Sequence, residues 1–149
     1  MIEKVNRRDV QLVSVHGGHS GQFCNHAKDS LENIIKAYAE RGFVWAGITE
    51  HMPPIHDGFL FPDEIEAGLT AARLYDRFGQ YIETGRQLQK KYASSIDILV
   101  GFETETYSGY AEIIPHLINE FQPDYIVGSL HHVDDMSFDF SPDLRDAAL

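Results

Sequence analysis

Four short runs rich in Val, Ile and aromatic residues punctuate the chain, at residues 10–15, 43–49, 95–102 and 125–130. Runs of this length and composition read as strands. The stretches between them carry helical periodicity, and strands that alternate with helices pair in parallel through right-handed crossovers. Each run also leads into a side chain able to bind a metal. The first is followed by His16 and His19, the second by Glu50 and His51, the third by Glu103 and the fourth by His131. Parallel α/β folds gather the C-terminal ends of their strands on one face, where sites form. Ligands scattered over more than a hundred residues are therefore expected to meet in space.

The helical stretches carry their own start and stop signals. Asp29 with Glu32 has the spacing of a capping box, and Ser30 is an alternative cap. The first helix is expected over residues 30–41, with Leu31, Ile34, Ile35 and Tyr38 as its apolar face and Gly42 just past its end. A long helical pattern covers residues 63–93 behind Pro62, and Gly68, Gly79 and Gly85 allow a break in it. A shorter helix is expected over residues 109–121 with Ser108 as cap, and another could begin at Asp143. The loop of residues 52–61 holds Phe59, Leu60 and Phe61 and either covers a site near His51 or packs on the fold.

The segment His16-Gly17-Gly18-His19-Ser20-Gly21-Gln22-Phe23-Cys24-Asn25-His26 places three imidazoles within eleven residues. Its paired glycines disfavour helix and permit close backbone approach. Alone, the segment reads equally as a metal-binding loop or as three solvated histidines. The histidines and carboxylates at the other strand ends favour the metal, since imidazole suits zinc, iron and related ions. Cys24 reads either as a soft ligand or as a small packed residue, the second being the simpler. Glu50 and Glu105 read as supporting or structural groups, and His132 would point away from His131 if the fourth strand continues. His56 reads as a loop residue and His116 as a helix surface residue. Lys28, Arg73 and Arg77 could approach phosphate but are more simply solvated.

Composition narrows the partners. The chain has 149 residues, enough for one domain with a real core. A net charge of -11 argues against a nucleic-acid surface, which needs a basic stripe. It does not argue against a small anionic substrate, because bound cations dominate their local field. Longer apolar runs of the kind that span a bilayer are missing, so no membrane partner is expected. A single cysteine fits a reducing cytoplasm. A cluster of histidines with a carboxylate suits hydrolysis by metal-activated hydroxide, and phosphoesters are the substrates most in need of that help.

The elements His16…His19-Ser20…Phe23-Cys24-Asn25-His26, Gly47-Ile48-Thr49-Glu50-His51, Gly101-Phe102-Glu103 and Gly128-Ser129-Leu130-His131 together resemble the PHP (polymerase and histidinol phosphatase) superfamily, in its histidinol-phosphatase branch. The resemblance covers nearly the whole chain. It implies a distorted (β/α)7, TIM-like barrel of which residues 1–149 supply the first four βα units, a C-terminally incomplete PHP domain. It further implies up to three divalent metals, zinc, iron or manganese, held by His16, His19, His26, His51, Glu103 and His131. The implied activity is hydrolysis of histidinol phosphate to histidinol and phosphate in histidine biosynthesis. Alternatives are another small phosphoester, such as a nucleotide, or a metal-binding remnant without turnover. Two departures stand out: the first histidine pair is separated by two residues where the family has one, and the family's later ligands lie beyond this chain. A second copy covering the open barrel edge is a further expectation.

Overall fold

The computed structural model describes residues 11–138 together with Asp143 and Asp146. Strand β1 (Leu12–Ser14) leads through the His loop to helix α1 (Leu31–Glu40) and strand β2 (Phe43–His51). A 3-10 turn at Asp57–Phe59 precedes α2 (Pro62–Glu66) and α3 (Ala71–Tyr92). Then follow β3 (Asp97–Glu103), α4 (Tyr110–Phe121), β4 (Tyr125–Val127) and a small hairpin of β5 (His132–Val133) and β6 (Met136–Ser137). The four long-range strands pair in parallel in the order β1-β2-β3-β4, curled into a half-barrel. This is the expected α/β architecture, a partial TIM-like barrel.

The elements form where their local chemistry directs. Ser30, not Asp29, caps α1, its hydroxyl accepting from Asn33 N–H at 3.2 Å. Gly42 sits just past the helix at a φ of 79°. The long helical pattern splits at Gly68, whose φ of 66° ends the α2 turn, and Thr70 caps α3 afresh. Gly79 and Gly85 stay inside α3. A Cβ at Gly85 would lie 3.0 Å from Val100 Cγ1 and 3.1 Å from Ile48 Cδ1, so glycine lets α3 lie close against β2 and β3.

Three expectations differ from the structure. The α4 cap is Gly109, left-handed at φ 86°, and not Ser108, whose amide donates to Asp135 Oδ1 instead. Strand β4 stops at Val127 and does not reach Leu130, and among the described residues it pairs with β3 alone. Asp134 and Asp135 both take positive φ, which closes the β5–β6 hairpin, an element the sequence reading did not include. Val10 and most of the possible C-terminal helix lie outside the described residues, although Asp143 and Asp146 are helical.

The two faces of the sheet differ. Ile48, Val100 and Phe102 are buried in a core with Phe78, Tyr81 and Leu88 of α3. On the opposite, inner face, Gly47 and Gly101 lie beneath the Tyr125 ring. Alternation then puts Thr49, His51 and Glu103 on that inner face, at the C-terminal strand ends. Val13, Val15 and Leu99 on the inner face, and Ile126 on the edge strand, are exposed.

Candidate metal centre

Register brings the first two groups together. His51 and Glu103 are paired across β2 and β3, so their side chains leave the sheet side by side. The ladder continues past them, with Met52 N–H donating to Glu103 O at 2.9 Å and Thr104 N–H to Val127 O at 2.8 Å. These bonds hold the strand ends firmly where the loops diverge.

Glu103 is buried and ringed by imidazoles. Its carboxylate lies 3.0 Å from His19 Nε2, 3.6 Å from His51 Nδ1, 3.6 Å from His131 Nε2 and 3.7 Å from His16 Nε2. His19 stacks on His51 with ring centroids 4.0 Å apart. His16 is fixed from behind by a hydrogen bond between Nδ1 and the Thr49 hydroxyl. His26 stands at the rim, its ring 5.4 Å from that of His51 and its Nδ1 3.3 Å from Asp63 Oδ2. All six residues singled out in the sequence therefore gather at one end of the sheet.

Several groups were given lesser roles by the sequence and stand in the same cluster. Glu50 is buried behind His19, held by the Ser20 amide at 2.8 Å and hydroxyl at 2.6 Å. Cys24 is packed and buried, yet its sulfur comes within 3.0 Å of His26 Nε2. Glu105 is buried and meets His51 and His131 directly. His132 does not point away: β4 ends before it, so strand alternation no longer applies, and it is buried near Glu105, stacked on Phe61. The only sequence signal for Glu105 is its place two residues beyond Glu103, on the same side if the chain stays extended. The 52–61 loop both packs and covers: Phe61 is buried with its ring 5.2 Å from His51. His56 caps the 3-10 turn through Gly58 N–H, and His116 pairs on the surface with Tyr75 and Glu120. Lys28 and Arg73 are exposed, and Arg77 donates to Asn25 Oδ1 at 3.0 Å.

The electrostatics follow from this packing. Burial works against charge on His19, but hydrogen bonds to Glu103 and Glu50 outweigh it and raise its pKa to about 9. Burial would raise Glu103, yet His19, His51 and His131 hold it down at about 2. Glu105 is likewise pushed up by burial and held well below the carboxylate range by His131, His132 and His51. Burial dominates at His51, which is lowered despite Glu105, and at Cys24, whose thiol is pushed up to about 12.

The donor chemistry fits metal ions. Three overlapping sets each bring ligand atoms within 4.8 Å of one another: His16, His19 and Glu103; His19, Cys24 and His51; His51, Glu105 and His131. His51 Nε2 is a buried polar atom in this cluster without a hydrogen-bond partner. Such atoms cost free energy unless something binds them.

A parallel half-barrel with imidazoles and carboxylates clustered at its strand ends defines an α/β protein suited to divalent metals. The PHP domain model matches residues 17–149, and the chain belongs to the PHP domain family. It is 38% identical over 138 residues to a probable histidinol-phosphatase of Schizosaccharomyces pombe, covering 92% of this chain and 44% of that protein. It is 26% identical to the histidinol-phosphatase of Saccharomyces cerevisiae, covering 84% of this chain and 41% of that one. The chain thus spans less than half the length of these relatives. The fold matches that of a histidinol-phosphatase candidate, hisK, from Listeria monocytogenes, with a TM-score of 0.69, 25% identity and 91% of this chain against 51% of that one. A Lactococcus lactis histidinol phosphate phosphatase, solved with zinc, L-histidinol and phosphate, shares the fold with a TM-score of 0.62 at 18% identity, over 85% of this chain and 44% of that one.

Proposed function

We propose that this chain carries the N-terminal part of a metal-dependent phosphatase that hydrolyses histidinol phosphate to histidinol and phosphate. The observation that carries this is the buried Glu103 carboxylate ringed by His16, His19, His51 and His131. Histidinol-phosphatase relatives at 38% and 26% identity support the substrate.

In this reading His16, His19, His26, His51, Glu103 and His131 hold up to three divalent ions, of zinc, iron or manganese. When bound, such ions lower the pKa of water and neutralise charge developing on a phosphoryl group. The protein's own contribution is placement. Glu103, central to the cluster, would hold metal together with the histidines around it. Thr49 fixes the His16 ring. Phe61 packs against the His51 ring, and Gly17 N–H bonded to Gly47 O at 2.8 Å ties the start of the His loop to β2.

The four parallel strands of the described residues do not close a barrel. In this reading a second copy of the chain seated on the open edge covers it. A chain that holds fewer ions without turnover, or that acts on another small phosphoester such as a nucleotide, is the competing reading. The single thiol, Cys24, suits work in a reducing cytoplasm.

The test is phosphate release from histidinol phosphate by the purified chain, with zinc, iron and manganese quantified in the same sample. Turnover that is lost with bound metal in Glu103→Gln supports the reading. A Glu103→Gln chain that keeps its full metal content overturns it.

A further inference from the structure

Glu105 stands just beyond β3, 2% exposed, between two strand ends that belong to different βα units. Its Oε1 lies 2.9 Å from His51 Nδ1, and its Oε2 lies 2.9 Å from His131 Nδ1. His132 Nδ1 is 3.4 Å from the same Oε2. An ionised carboxylate only accepts hydrogen bonds. Both rings must therefore carry a proton on Nδ1 to make these contacts, and in a neutral ring that leaves the lone pair on Nε2. His51 Nε2 is buried without a hydrogen-bond partner. His131 Nε2 faces Glu103 Oε1 at 3.6 Å.

We propose that Glu105 is a positioning residue that sets the metal-binding tautomer of His51 and His131 together, by accepting the Nδ1–H of both rings. This rests on the metal reading of the site. A carboxylate behind a ligating imidazole fixes ring orientation and tautomer, and here one carboxylate does so for ligands on two strands. The loop beyond β3 is pinned to that task by Thr106, whose hydroxyl donates to His132 O at 3.1 Å. Glu105 is thus a coupling point: disturbing it affects the ligands of β2 and β4 at once.

Glu105→Gln makes the idea sharp. The amide oxygen can still accept from one ring, but the NH2 group only donates. The ring facing it must accept on Nδ1 and move its own proton to Nε2, the nitrogen meant for metal. Glu105→Asp keeps an acceptor-only group at shorter reach.

The experiment is long-range 1H–15N correlation of the histidine rings in the labelled full chain, metal-free and zinc-loaded, alongside zinc titration. The expected result is Nδ1–H in His51 and His131 of the wild type, with zinc on Nε2. In Glu105→Gln at least one ring becomes Nε2–H, and zinc affinity falls on the order of 10–100-fold. Glu105→Asp retains the wild-type tautomers. Wild-type rings protonated on Nε2, zinc bound through Nδ1 with Glu105 as a direct ligand, or unchanged zinc affinity in Glu105→Gln overturns the proposal. The wild-type spectrum decides even if Glu105→Gln does not fold. A wild type that takes up no zinc defeats the metal reading, while its metal-free spectrum still reports on Glu105.

Discussion

The hydroxyl of Tyr125 donates to the carbonyl of Val15 at 2.7 Å, joining the last long-range strand to the end of the first across 110 positions. Its ring reaches β1 only because Gly101 and Gly47 present no side chains beneath it. A Cβ at Gly47 would fall 1.9 Å from the Tyr125 hydroxyl and 2.8 Å from Val15 O. Gly47→Ala is therefore expected to lower stability by roughly 1–3 kcal/mol through overpacking. Denaturant unfolding of Gly47→Ala, Tyr125→Leu and the double variant checks this: the double variant should lose less than the sum of the two singles. Additive losses would mean the ring does not lie over Gly47.

His51 takes part in two of the three possible ligand sets, whereas His26 belongs to none of them and sits at the exposed rim. Zinc titration should show the larger loss for His51→Ala, beyond the roughly 10–100-fold typical of supporting contacts. An equal or larger loss for His26→Ala would place the metal further out than the cluster suggests.

The raised pKa of His19, about 9, links metal uptake to protons. Below that value the metal-free ring holds a proton that a metal must displace. Apparent zinc affinity should rise as pH increases from about 6.5 to 9, by roughly tenfold per unit from this group alone. The opposite sign governs the metal-free fold: the contribution of protonated His19 is fully present below pH 6.5 and is lost as pH rises through about 9. Calorimetry in buffers of different ionisation enthalpy measures the protons released. Zinc binding near pH 7.5 without proton release would contradict the assignment.

Tyr81 is fully buried, and its hydroxyl reaches both Ile48 O at 2.8 Å and Gly101 O at 2.6 Å. It ties α3 to the two central strands directly below the cluster. Tyr81→Phe should cost about 1–3 kcal/mol, the range for a buried polar group left without its partner. Thermal unfolding reads this, and an unchanged melting temperature would show that the strands satisfy those carbonyls unaided.

Much of this protein is written locally. The Val- and Ile-rich runs, Ser30 at its helix start, Gly42 past its end and the chain break at Gly68 act through neighbouring residues, so the alternation of strands and helices follows from sequence. Placing a ligand at each strand end also follows, because parallel strands share a direction and bring their C-terminal ends to one face. What only the tertiary structure decided is which groups touch. His51 stands beside Glu103 because of interstrand register, and no local pattern fixes that. Glu105 and His132 follow the strands, where period-two alternation stops, so their orientation depends on loops bound to one another through Thr106. Tyr125 depends on two glycines that lie 78 and 24 positions earlier in the chain, brought beneath it by the curl of the sheet. Contacts of that kind arise from packing between distant segments, and periodicity along the chain carries no trace of them.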